Sequence, residues 1–187
     1  MCIRDRSGTL TLPDEITYGD YELTEVTPPK GYTLNSVPIA FSIDGNTPEV
    51  VIRLSDKPEK GKISVLKKGE MFSSVEVSED RYVPVYSERG LKGAEFEVSA
   101  AEDIYTADGT LRISKGALED TLVTDESGEA ESKELYPGKY LLREISVPEG
   151  YILNAEPREI TVVSGVTSAE IFNERKKQEF KLKKELE

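Results

Sequence analysis

Apolar residues recur at every second position through most of this chain, the period of strands with one buried face. KISVLKK puts Ile63 and Val65 on one face, and that face runs on to Lys67. GAEFEVSAA turns Ala94, Phe96 and Val98 inward. LEDTLVT, ESKELY, KYLLREI, EPREITVV and TSAEIFN mostly keep the alternation and complete a strand set over residues 60–175. TDESGEA and YPGK read as turns. Residues 7–59 hold a shorter set, GTLTLP, DYELTEV, PIAFSI and EVVIRLS, and KPEKGK is a polar junction between the sets. MFSSVEVSEDRYVPVYSERG is polar and acidic with some alternation; it reads as an inserted hairpin or mobile loop, or else as a structured partner-binding loop.

One phrase occurs twice. Residues 21–35 read YELTEVTPPKGYTLN and residues 140–154 read YLLREISVPEGYILN, at an offset of 119 (140 − 21). A repeat at that distance implies two domains of similar size, the first one truncated. LSDKPEKGKISVLKK also aligns with IFNERKKQEFKLKKE, at an offset of 117 (173 − 56), so QEFKLKKELE reads as the first strand of a further unit, with a charged helix as the rival reading. The domain reading is therefore 1–59, the rear part of one unit; 60–175, a complete unit; and 176–187, the start of a third. MCIRDR, residues 1–6, matches nothing that follows and is excluded as non-native, adaptor-like sequence.

Composition narrows the function. The 187 residues hold 36 acids against 24 Lys+Arg, a net charge of −12, which argues against nucleic acid or an anionic membrane as partner. There is no long apolar run. Histidine is absent and cysteine is limited to Cys2, so no internal disulfide and no Cys/His metal site or dyad can form, and no cofactor is expected. The DESGE segment lacks the spacing of a calcium loop and reads as a turn. The adjacent acids Glu79 and Asp80, or Asp14 and Glu15, read as solvated turns, because neighbours on a strand point apart.

The chemistry lies where apolar stripes end in polar residues. Lys67 ends one, Glu144 follows Tyr140 and Leu142, and Asn173 follows Ile171. A single such residue is ordinarily a solvated strand end. As a set, from the first strand, a middle strand and the last, they suit nucleophilic chemistry. An apolar site favours a neutral amine on lysine and a protonated carboxyl on glutamate. Such a Glu144 would hydrogen-bond the Asn173 carbonyl, polarise it and shuttle a proton. Lys67 would attack, ammonia would leave, and a Lys–Asn isopeptide bond would remain, a neutral product far cheaper to bury than an ion pair.

The order GKISVLKK, LKGAEFEV, LVTDESGEA, LYPGKYLLREISVPEGY and EIFN resembles the SpaA/Cna B-type domain of Gram-positive surface proteins and pilins. The resemblance covers essentially all of 60–175, and 7–59 resembles the rear of a preceding copy. It implies an all-β architecture of tandem β-sandwiches, transthyretin-like or inverse immunoglobulin-like. It also implies a spontaneous isopeptide bond, with Lys67 as nucleophile, Glu144 as catalytic acid and Asn173 as acceptor. Gly69 departs from the pattern, which often has Asp there, and Lys68 is an alternative nucleophile, although facing favours Lys67. In the first unit the acid and acceptor positions are Glu25 and Asp56; Lys184 is the nucleophile position of the next unit.

Three functions follow as expectations. The first is a structural stalk or pilin-like repeat of an extracellular, cell-wall-anchored protein, with neighbouring repeats of the same chain as partners. The second is an adhesin module that grips a host matrix or surface protein through its loops, with the insertion at 69–90 and its Phe72, Tyr82 and Tyr86 as the place. The third, an enzyme with turnover, is the least supported; the only chemistry expected is a single autocatalytic event.

Overall fold

The computed structural model describes residues 16–46, 49–79, 81–180, 183 and 185. The chain divides into two compact units, residues 1–57 and 58–187, and every regular element among the described residues is a strand.

In the first unit β1 (Gly19–Leu23), β2 (Tyr32–Thr33) and β3 (Ile39–Ile43) precede the two-residue β4 (Lys57–Pro58) at the boundary. β1 pairs antiparallel with β3 from Gly19↔Ile43 to Leu23↔Ile39, and Tyr21 stacks on Phe41 with ring centres 5.6 Å apart. EVVIRLS, expected as a strand, forms none. A strand exists only through lateral pairing, and among the described residues this segment has no ladder partner. GTLTLP lies outside the described residues.

The second unit contains β5 (Gly61–Ser78), β6 (Arg81–Gly90), β7 (Glu95–Ala100), β8 (Ile104–Tyr105), β9 (Leu111–Ile113), β10 (Leu118–Val123), β11 (Glu129–Glu131), β12 (Gly138–Ser146), β13 (Arg158–Val162) and β14 (Gly165–Asn173). One sheet has the order β10-β7-β12-β13, the other β11-β5-β14 with β6 also on β5. Their apolar faces share one core built on Ile63, Val65, Phe96, Val98, Tyr140 and Leu142, all at most 1 % exposed. This is the sandwich that the family resemblance implied, with Ala94, Phe96 and Val98 inward as the period-two pattern predicts.

The β12–β13 register, Gly138↔Val162 to Leu142↔Arg158, is the β1–β3 register displaced by 119 (138 − 19 and 162 − 43). The repeated phrase therefore encodes the same hairpin twice.

β5 and β14 are parallel neighbours over nine pairs, Gly61↔Gly165 to Gly69↔Asn173. The chain thus enters this unit at one end of the pair and leaves it at the other. β5 then continues for nine residues beyond Gly69 and returns as β6, so MFSSVEVSEDRYVPVYSERG forms a hairpin, the first of the readings offered for it. ESKELY, expected as a strand, is one only at its first residue. The strand there is Glu129–Glu131, paired to Leu66–Ser64, and only Leu135 continues as a bridge to Gly61. The turn before it is set by Asp125, whose Oδ1 accepts the Ser127 and Glu129 N–H groups, with Gly128 at φ 83. β8 and β9 form a small hairpin that the pattern did not show.

Candidate functional site

Lys67 and Lys68 face opposite ways. Lys67 is 0 % exposed, in line with Ile63 and Val65, while Lys68 points out and donates to Glu170 at 2.8 Å. Glu144 ends the Tyr140–Leu142 stripe of β12 at 3 % exposure, and Asn173 ends β14 at 2 %. The two sheets thus bring the three residues together between them. Lys67 Nζ stands 3.3 Å from Glu144 Oε1. Glu144 Oε2 accepts the Asn173 Nδ2 amide at 2.7 Å and the Asn154 N–H at 3.0 Å. Asn173 Nδ2 also donates to the Ile152 carbonyl at 2.6 Å.

A backbone carbonyl can only accept, so the Ile152 contact fixes which way the Asn173 amide points. Glu144 therefore faces the amide nitrogen, where the sequence reading had placed it on the carbonyl oxygen. The pair at 3.3 Å is close enough for ionic attraction but misaligned for a hydrogen bond, so Lys67 Nζ, Glu144 Oε1 and Asn173 Oδ1 are all buried without a hydrogen-bond partner. Three unsatisfied polar atoms at one buried point are costly for the fold. Burial holds the Lys67 ammonium below the usual lysine range, and the Glu144 carboxylate opposes that shift only in part. On its other side Glu144 lines an open surface depression with Leu142, Asn154 and Arg158.

Gly69 faces Asn173 in register, where a side chain has little room. A Cβ there would lie 2.7 Å from the Tyr151 ring and 3.1 Å from Leu91 Cδ2. Tyr151 roofs the site, with its hydroxyl donating to the Glu70 carbonyl at 2.9 Å.

The first unit holds a corresponding arrangement at its loop. Glu25 Oε2 accepts the Asn35 N–H at 2.9 Å, as Glu144 does that of Asn154. The Tyr32 N–H to Pro29 carbonyl bond reappears as Tyr151 to Pro148. Asp56 Oδ1 is buried with no partner, and no lysine joins Glu25 among the described residues. Lys184 lies outside the described residues. The repeat had singled out Gly-Tyr and Leu-Asn but not their roles. The Asn154 N–H and Ile152 carbonyl are backbone groups that no side-chain motif reveals, and Glu70 sits in the insertion, where no repeat marks it.

The chain belongs to the SpaA prealbumin-like fold domain family, whose model matches residues 2–58 and 85–175. Glu144, Asn173, Glu25 and Asp56 fall inside the matched residues, whereas Lys67 and the outgoing half of the hairpin fall outside. No curated protein matches the chain. Among solved structures, the TIE protein of Bacillus anthracis is similar at 22 % identity with a TM-score of 0.54, over 84 % of this chain and 25 % of that one. GBS52, the minor pilin of Streptococcus agalactiae, is similar at 20 % identity with a TM-score of 0.43, over 98 % of this chain and 71 % of that one. A streptococcal ancillary pilin is similar at 20 % identity with a TM-score of 0.40, over 94 % and 47 %. The chain thus spans about a quarter of the TIE protein, whose likeness shows the prealbumin-like fold. No helix among the described residues is long and apolar enough to cross a membrane.

Proposed function

We propose that residues 60–175 form a stalk or pilin-like repeat of a Gram-positive cell-wall protein, stiffened by a spontaneous Lys67–Asn173 isopeptide bond. The observation that carries the reading is the buried meeting of Lys67, Glu144 and Asn173 at the outgoing end of two parallel strands. Family membership supports it, since the resemblance implies this bond and a surface location.

The geometry suits the reaction. Lys67 Nζ, favoured as a free amine by burial, bonds to Asn173 Cγ, and the Cγ–Nδ2 bond breaks. Net, one proton passes from Nζ to Nδ2, and ammonia leaves. Glu144 is the relay, because Oε1 faces the proton donor and Oε2 holds the nitrogen that must receive it. Reaction removes the unpartnered amine and charge from the core. It occurs once per chain, without turnover.

The bond would also redirect force. Tension entering at Gly61 and leaving at Asn173 would otherwise shear the nine β5–β14 pairs. With Lys67 joined to Asn173, tension passes along β5 to Lys67 and across to the exit, and residues 68–172 carry none of it. Tandem units joined in this way would form an array that resists extension. The intact mass of the purified chain tests this, with Glu144→Ala beside it. Wild type lighter by one ammonia and a variant at full mass are expected; wild type at full mass overturns the reading.

One observation favours a second role for the same unit, adhesion through the β5–β6 hairpin. A bulge between Phe72 and Ser74 brings Phe72, Val75, Val77, Tyr82, Pro84 and Tyr86 onto one face. Phe72, Val75, Val77 and Tyr82 are each at least half exposed, and an exposed apolar face of this kind marks interaction sites. Binding to immobilised matrix protein that Tyr82→Ser and Val77→Ser leave undiminished would remove this reading.

A further inference from the structure

Asn173 occupies the last register pair of β14, and the last residue of a strand is where a ladder frays. Three fastenings hold the chain beyond it. The Glu174 carbonyl accepts the Ile152 N–H at 2.9 Å, and the Lys176 N–H donates to the Gly150 carbonyl at 2.8 Å. The third belongs to one side chain. Glu70 Oε2 accepts the Arg175 N–H at 3.0 Å, and the same carboxylate takes the Lys177 ammonium at 2.9 Å. Glu70 directly follows Gly69, and its own carbonyl accepts the Tyr151 hydroxyl. It therefore ties down both segments that frame the Asn173 amide: the loop carrying Ile152, through its backbone, and the chain after Asn173, through its carboxylate. Lys177 also lies 4.5 Å over the Tyr86 ring and Arg175 lies 5.1 Å over the Tyr151 ring, which closes the strap.

Magnitudes say what such a strap is for. Lys177 is 48 % exposed, and an ion pair at that exposure adds little stability. A carboxylate that takes a backbone N–H and a side-chain ammonium together does fix direction. An attack on Cγ needs the amide held in one pose, and small misplacements of reacting atoms are expensive.

We propose that Glu70 is a positioning residue for the Lys67–Asn173 reaction, holding the end of β14 so that the Asn173 amide stays seated between Glu144 and Ile152. The inference rests on the isopeptide reading above and deepens it. Glu70 touches none of the reacting atoms.

The test is the rate of ammonia loss, followed by intact mass at intervals after pulsed cell-free synthesis of the full chain. Glu70→Ala should slow the loss by about tenfold to a hundredfold. Glu70→Gln should recover part of the rate, because its amide oxygen still accepts the Arg175 N–H. Lys62→Ala, which removes the exposed Lys62–Glu131 pair from the same strand, should react at the wild-type rate. Melting of Lys67→Ala chains with and without Glu70→Ala separates positioning from folding, and the two should melt nearly together. Glu70→Ala reacting as fast as wild type overturns the positioning role and leaves the bond reading intact. A slow variant whose unlinked form is equally destabilised also overturns it, in favour of a structural role. A wild-type chain that never loses ammonia overturns the bond reading itself.

Discussion

Glu144→Ala and Asn173→Ala both abolish the proposed bond, yet they should not be equally unstable. The bond would close a span of 106 positions (173 − 67), and a cross-link over about a hundred residues contributes about 4.7 kcal/mol. Both variants forfeit that. Asn173→Ala also strips the Ile152 carbonyl of its donor, about 1–3 kcal/mol, but keeps Lys67 beside Glu144. Glu144→Ala leaves Lys67 buried without a counter-charge, about 3–5 kcal/mol, and orphans the Asn154 N–H as well. Because a buried lysine can shed its proton, the lower figure applies, and the two variants should differ by about 3 kcal/mol. With a urea slope of about 1–3 kcal/mol/M, that separates their midpoints by about 1–3 M, with wild type above both. Far-UV circular dichroism reads the midpoints, and intact mass confirms that neither variant is linked. A Glu144→Ala midpoint equal to or above that of Asn173→Ala would refute the role of Glu144 as the buried counter-charge. A Glu144→Ala chain lighter by one ammonia would refute its role as the relay.

Gly69→Ala drives a Cβ to within 2.7 Å of the Tyr151 ring and should cost about 1–3 kcal/mol by urea denaturation, and an unchanged midpoint would mean that Tyr151 does not roof the site. In Asn173→Ala the Lys67 amine stays free, with its pKa depressed by burial. Between that lowered value and the ordinary 10.5 the unfolded chain holds more protons, so stability should rise with pH across this window, and a flat profile there would refute the burial of a free amine. Asp108 accepts from the Thr106 hydroxyl and the Thr110 N–H, which together hold its carboxyl down to about 2. Its contribution should be present above the ordinary 3.8 and disappear as pH falls through about 2; a carboxyl NMR titration near 3.8 would refute that turn.

Lys67 was legible because strand parity is strict: with Ile63 and Val65 in the core, the second residue onward must face it too. Glu144 followed from Tyr140 and Leu142 in the same way, and the repeat fixed the β12–β13 register through its earlier copy. Alternation says which way a side chain points, not which strand lies alongside. Hence EVVIRLS reads as a strand yet has no ladder among the described residues, and one partner of β5 is Glu129–Glu131, three residues long and hidden in a turn phrase. The β8–β9 hairpin was too short to show a period. The continuation of β5 past Gly69 was obscured because the bulge between Phe72 and Ser74 shifts the alternation and the residues from Met71 on are exposed. The direction of the Asn173 amide was beyond reach, because a backbone carbonyl sets it.

The repeated glutamate shows how the site is assembled. Glu25 and Glu144 each accept the N–H of the asparagine ten residues on, Asn35 and Asn154, and the first unit does this with no lysine at its glutamate among the described residues. Anchoring the loop is thus a property of the phrase itself, independent of any reaction. In the second unit the same bond fixes Oε2 on the side of the loop, where Asn173 Nδ2 joins it, and leaves Oε1 directed at Lys67. A carboxylate free to rotate could offer either oxygen to either neighbour. One pinned by the Asn154 N–H keeps one oxygen for the amine and the other for the Asn173 amide nitrogen, as the proposed proton relay between them requires. Loop and site therefore depend on one side chain, and replacing Glu144 should loosen residues 148–154 as well as block the bond. Hydrogen exchange at the Asn154 amide would register that loosening in Glu144→Ala. In Asn173→Ala, which lacks the bond but keeps the anchor, the same amide should stay protected.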